Sequence, residues 1–385
     1  MKTAVQIAEG RKSSAMYAGR PHVLLERGWI AFRSSTWIPV VTGFVEPVLF
    51  LLAFGYGMGT LVGDITTGNT TIDYTLFIAP GLLANSAMNG AIYDSTWNVF
   101  WKLNESKLYK TMLSTPLGPL DIAMNRKSTA MYAGRPHVLL ERGWIAFRST
   151  NWVPVVTGFV EPVLFLLAFG YGMGSLVGDV TTGSKTIDYT LFIAPGLLAN
   201  SAMNGAIYDS TWNVFWKLNE SKLYKTMLST PLGPLDIALG EITWALIRGL
   251  VYSIGFLTVV TALGLTPSFW AILAIPAASL VAFGFASFGM AITSYFKTYQ
   301  QMGFINFVLL PMTLFSGSLY PISVYPDWLE KVIMALPLWH GIELVRAFWF
   351  GEINSGVFVH VTYFVVMIGI GLFVTSRRLR ALFLR

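Results

Sequence analysis

Eight apolar stretches govern what this chain can fold into: residues 37–57, 74–101, 152–173, 189–213, 239–265, 269–296, 302–318 and 356–375. A hydrocarbon core about 30 Å thick takes roughly 20 apolar residues of helix to cross, against about 10 for a barrel strand. Within that core every backbone polar group must be satisfied internally, and for segments this long only the helix does so. Composition agrees, with 54% apolar and 12% charged residues, about half the charge content of a soluble domain. The expectation is an all-α integral membrane protein with eight spans.

The same composition removes most enzyme chemistry. There is no cysteine, hence no thiolate nucleophile, disulfide or Cys metal site. His22, His137, His340 and His360 lack the HxxxH or HExxH spacing of a metal-binding helix. The nearest approach to a phosphate-binding loop, GDVTTGSKT at 178–186, has Ser184 between the glycine and the lysine that must be adjacent. No catalytic residue, metal or cofactor of the chain's own is expected.

Residues 1–36 contain no apolar core of signal-peptide length. From Pro21 onward Val23, Leu24, Leu25, Trp29, Ile30 and Phe32 alternate with Arg20, Arg27 and Arg33, the pattern of a basic helix lying on a membrane surface.

A direct repeat complicates the count of units. Residues 11–123 and 126–238 align at a constant offset of 115, and only eight of the 113 positions differ. Solenoid repeats are shorter and more divergent, and inverted transporter repeats run the other way. We therefore expect residues 124–385 to form a complete six-span module and residues 1–123 an appended two-span partial duplicate.

Several polar groups fall inside or at the ends of the apolar runs. Glu46-Pro47 and its duplicate Glu161-Pro162 are costly in a membrane helix; they either line a pathway or satisfy backbone groups that the proline frees. Asn200, Asn204, Asp209 and Arg248 are further candidates for a pathway or for intramembrane polar packing. Gly, Ala, Ser and Asn crowd 74–101 and 189–213, which predicts helices buried among helices. Between the last two spans, residues 319–352 offer two helical patterns of about 12 residues, near 18 Å each and too short to cross. A re-entrant or interfacial hairpin is expected, with His340, Glu343 and Arg346 three apart in one cluster that braces it or meets substrate.

Placing both termini in the cytoplasm puts 23 of the 26 Lys and Arg residues on that side, as the positive-inside rule requires. The net charge of +6 is thereby explained by orientation, and no nucleic-acid partner is expected.

The largest polar interruption between spans is KLNESKLYKTMLSTPLGPLDIALGEITWA, residues 217–245. Its first part also occurs at 102–123, where it breaks off before the Leu239-Gly240-Glu241 that leads into another span. Together with FIAPGLLANSAMNGAIYDSTWNVFWKL upstream, this loop resembles the permease subunits of the type-two ABC exporters, the group that includes nodulation-factor and daunorubicin-resistance permeases. The resemblance covers residues 126–385 and is most specific over 227–244. It implies a multi-pass bacterial inner-membrane subunit that pairs with a second permease, a copy or a paralogue. ATP would be hydrolysed by separate cytoplasmic ABC ATPase subunits, and an amphiphilic cargo carried through the bilayer. It also implies an ATPase-coupling loop, mapping here to Leu218, Glu220, Lys222, Leu223, Tyr224, Lys225, Met227 and Leu228, with Pro231, Gly233, Pro234, Asp236, Gly240 and Glu241 leading back to the membrane. Two alternatives stand beside it: an ion-coupled carrier using Glu46 and Glu161, and a fused frame without function.

Overall fold

The computed structural model describes residues 38–67, 70–93, 96, 160–182, 185–221, 223–228 and 233–383. The basic helix expected before residue 37 and the loop copy at 102–123 lie outside them.

The first copy opens with α1 (Ile38–Leu52), which loosens into a π-helical stretch, Ala53–Met58, and ends as α2 (Gly59–Val62). A hairpin of β1 (Asp64–Thr67) and β2 (Thr70–Asp73) returns the chain to α3 (Tyr74–Tyr93). The second copy repeats the order. A helix entering at residue 160 passes through a π stretch, Leu166–Met173, into α4 (Gly174–Val177), then β3 (Asp179–Thr182), β4 (Lys185–Asp188) and α5 (Tyr189–Tyr208). The polar connectors are thus antiparallel hairpins rich in Thr, Ile and Val, residues that favour a pleated strand, with Asp only at their ends. GDVTTGSKT falls in the second hairpin, where Thr182 faces Lys185. Gly63 and Gly178 close α2 and α4 at φ +70° and +71°, a conformation that glycine adopts without strain. Asp188 then caps α5, accepting from the Thr190 and Leu191 amides at 2.8 and 3.3 Å. Its twin Asp73 accepts from Thr75 in the same way, and that contact holds its carboxyl below the usual carboxylate range.

The rest of the chain forms α6 (Leu223–Met227), α7 (Pro234–Ala262), α8 (Ala274–Thr293) and α9 (Gly303–Phe315), followed by α10 (Asp327–Met334), α11 (Pro337–Phe350) and α12 (Gly356–Phe383). Among the described residues, five helices are long and apolar enough to cross a membrane: 45–62, 160–177, 234–262, 269–293 and 356–382. The pair α10–α11, bent by 80°, adds a sixth if it is one broken span. Three stretches that the sequence reading counts as spans fall outside this set. α9 has only 13 residues, while α3 and α5 are 20 residues long but rich in Ser, Asn, Gly and Ala.

α8 is the central strut, packing on α5, α7, α11 and α12. Its glycines set the spacing. A Cβ on Gly284 would lie 2.6 Å from the Phe364 ring of α12, and one on Gly371 of α12 would lie 2.7 Å from the Ser287 backbone, so each helix offers a glycine where the other comes close. Outward, α7 presents Ile247, Leu250, Val251 and Ile254, and α12 presents Phe358, Val365, Ile370 and Phe373, all exposed. In a membrane protein these stripes belong to the lipid.

The duplicated helices share one sequence and differ in burial. α5 buries fourteen of its residues, whereas among the described residues of α3 only Tyr74 is buried. The first copy's α1 packs on α3 and α9, and the π stretch that follows it brings Gly57 against Tyr320, 2.4 Å from ring to projected Cβ.

Candidate functional site

Two clusters, at the two ends of α5, gather the residues singled out in the sequence. The first follows the C-terminal end of α5. There the helix continues through two π stretches, Asp209–Asn213 and Trp216–Glu220, before α6. Insertions of this kind reset the facing of a helix and recur at functional positions. The turn is pressed on α8: a Cβ on Gly289 would meet the Ser210 hydroxyl at 2.4 Å.

Beyond it, Lys217 Nζ reaches Glu241 Oε2 of α7 at 2.6 Å, and Asn219 Nδ2 donates to the Phe296 carbonyl after α8 at 3.5 Å. Arg378 of α12 joins the same end, its Nε donating to the Ser294 carbonyl at 3.4 Å and its guanidinium lying 4.6 Å over the Tyr295 ring. α7 begins under good local control. Pro234 occupies its first position, and Asp236 accepts the Gly233 amide at 2.9 Å, the reach-back half of a capping box.

The apolar residues of this loop face inward. Leu218, Tyr224, Met227 and Leu228 are all buried in the protein's own core and Leu223 is half-buried, while Lys225 and Ser221 are exposed. The spacing that suggests anchors for a partner's groove therefore serves first to fasten the loop to its own helices. Gly240 is buried and Glu241 half-buried. Lys222 and Pro231 lie outside the described residues, and of Glu220 and Arg248 only the backbone is described.

The second cluster surrounds α10 and α11. Arg346 Nη1 donates to Glu343 Oε1 at 2.6 Å, Nη2 donates to the Gly317 carbonyl at 3.0 Å, and the guanidinium sits 4.5 Å from the Phe192 ring of α5. One side chain thereby joins α11, the turn after α9 and α5. His340, expected beside Glu343 and Arg346, turns instead to α12. Its Nδ1 lies 2.8 Å from Nδ1 of His360, one donating and the other accepting, and its ring stacks on Tyr363 at 4.1 Å. Trp349 Nε1 donates to the Leu265 carbonyl at 3.1 Å. Tyr325 and Tyr320 share a 2.5 Å hydrogen bond, and Tyr320 donates onward to the Leu314 carbonyl at 2.6 Å. Glu343, Arg346, Glu352, Asn354, His360 and Phe192 border a cleft of about 160 Å³. Among the described residues no group of three His, Cys, Asp or Glu is placed to hold a metal.

The remaining intramembrane candidates do not converge. Asn200 Oδ1 accepts from Thr313 of α9 at 3.2 Å, Asp209 accepts from Asn213 at 3.1 Å, Asn204 and Glu161 are exposed, and Glu46 is half-buried. Sequence reasoning missed His360, Asn219, Arg378 and the Tyr320–Tyr325 pair. Of these only Arg378 carried a signal, as one of the basic residues counted on the cytoplasmic side.

Arg346→Met keeps an unbranched stem, lacks the guanidinium and so removes three attachments at once. We expect it to cost about 2 kcal/mol, within the range for charged hydrogen bonds, and to lower the melting temperature of detergent-solubilised protein.

Residues 137–350 match the sequence profile of the ABC-2 type transporter family. Nodulation protein J from Rhizobium leguminosarum bv. viciae is 28% identical over 245 residues, which make up 63% of this chain and 93% of that protein. The protein of the same name from R. leguminosarum bv. trifolii is 31% identical over 63% of this chain and 92% of its own length. The inner membrane transport permease YadH of Escherichia coli is 25% identical over 58% of this chain and 90% of its length. A profile match spanning more than half the chain, on a helical membrane fold whose loop ties the C-terminal end of α5 to α7, places this protein in the ABC-2 type transporter family.

Proposed function

We propose that this chain is the permease subunit of an ATP-driven exporter, moving an amphiphilic cargo such as a lipid-linked saccharide or a drug out of the bacterial cytoplasm. Separate cytoplasmic ATPase subunits bind and hydrolyse the ATP, and a second permease subunit completes the assembly. The observation that carries this reading is the loop of residues 216–241: clamped to α7 by Lys217–Glu241 and to the end of α8 by Asn219, it can pass a push on one short segment to several helices at once.

The distribution of basic residues supports cytoplasmic termini, with the loop on the cytoplasmic side and the α10–α11 hairpin and its cleft on the outer side. Matched residues cover 93% of the relative and only 63% of this chain. Together with the position of the family match at residues 137–350, that imbalance supports a module within residues 124–385; residues 1–123 are then an appended partial copy, in a chain read as eight spans.

Among the described loop residues, the inward turn of Leu218, Tyr224, Met227 and Leu228 leaves Ser221, Lys225 and the half-buried Leu223 available as a contact for the ATPase. In the double variant Leu223→Asp/Lys225→Glu we expect co-purification of a co-expressed ABC ATPase subunit to fall about tenfold, the loss of roughly 1.4 kcal/mol of binding, with the melting temperature within a few degrees of the parent. Undiminished co-purification would move the docking site elsewhere.

A further inference from the structure

The two copies touch each other, and their contacts are symmetric. Phe54 stacks on Phe169 with centroids 5.9 Å apart and planes 15° from parallel, and these are the same residue in the two copies. Tyr189 donates to the Met58 sulfur at 3.7 Å, while Tyr74 donates to the Met173 sulfur at 3.9 Å. Tyr74 corresponds to Tyr189 and Met58 to Met173, so the second contact is the first with the copies exchanged. α2 likewise meets α4. When residue i meets j and the twin of j meets the twin of i, the surface is isologous, built to pair with itself about a two-fold axis. It is also well packed: Phe54, Met58, Tyr74 and Tyr189 are all buried.

The symmetry fails at one instructive place. Gly57 is seated against Tyr320, but its twin Gly172 has nothing within 4 Å. Tyr320 belongs to the part of the chain that was not duplicated, so the contact that a true two-fold mate would make twice is made once.

We propose that the face formed by residues 160–190 is a self-pairing interface for a second copy of the same unit, and that in this chain residues 45–75 occupy it in cis. The full-length protein is a pseudo-dimer on this side, closed to another chain there. A second permease subunit must then attach by a different surface. The inference rests on contacts between the copies and is independent of cargo and ATPase.

The absence of cysteine makes the test direct in the full-length protein, in native membranes, with a short bifunctional thiol-reactive crosslinker such as a bis-methanethiosulfonate. Phe54→Cys/Phe169→Cys is expected to crosslink within one chain, at monomer mobility with the joined peptides found by mass spectrometry. The intrachain product should exceed the interchain product by about tenfold or more, because a tethered mate is held at millimolar effective concentration. Phe169→Cys alone should give no crosslinked dimer. The reciprocal pair Tyr74→Cys/Met173→Cys repeats the measurement should the first position disturb folding. Chain-to-chain dimers from Phe169→Cys alone, purely interchain products from both double variants, or no crosslink in either would overturn the proposal.

Discussion

Replacing Gly196 by leucine is expected to abolish the folded protein, while the same replacement at Gly81 leaves it intact. The two glycines occupy the same place in one twenty-residue sequence. A Cβ on Gly196 would lie 2.6 Å from the Ser318 carbonyl oxygen and 2.9 Å from its Cα, whereas a Cβ on Gly81 has nothing within 4 Å. Backbone cannot swing aside as a flexible side chain can, so α5 would have to leave the turn after α9. Overpacking a core costs about 1–3 kcal/mol and more where the backbone must move, out of a total stability of about 5–15 kcal/mol. Gly81→Leu controls for helix propensity and hydrophobicity, because local sequence and substitution are the same. Fluorescence-detected size-exclusion chromatography after mild solubilisation reads both. Equal monodisperse yields would refute the close approach of α5 to Ser318.

The second large effect is expected at the Lys217–Glu241 pair. Glu241→Lys places two cations where a 2.6 Å ion pair stood, with side chains only 24% and 13% exposed. Breaking a fully buried pair costs about 3–5 kcal/mol, and the remaining exposure of this one reduces that to about 1–3 kcal/mol. The double reversal Lys217→Glu/Glu241→Lys should recover most of the melting temperature, as coupling in a double-mutant cycle. Turnover of the partner ATPase in the reconstituted complex should fall severalfold in the single variant and return in the double. Recovered stability with no recovered turnover would show the pair to be a brace and not part of the coupling path.

What could be read in advance follows from what a local pattern encodes. Apolar length announced the helices of α7, α8 and α12, and small residues announced the burial of α5. Yet the same letters in α3 lie mostly exposed, because burial depends on which neighbours the rest of the chain supplies. The apolar face of residues 218–228 was legible as a face that must be covered. Whether Tyr224 and Met227 were covered by a partner or by this chain is not a property of their spacing. The β-hairpins were readable from their β-branched alternation but were overshadowed by polarity. Helical spacing grouped His340 with Glu343 and Arg346; its actual mate His360 stands on another helix, beyond the reach of a pattern confined to one element.

The unequal surroundings of Gly57 and Gly172, and of Gly81 and Gly196, set the direction in which the copies can drift apart. Two segments of nearly one spelling sit in different surroundings. The first copy is held at Gly57 and free along α3, and the second is free at Gly172 and held along α5. Substitutions accumulating in descendants of this gene should therefore fall in complementary halves of the repeat, so that the two copies together retain one full set of constrained positions.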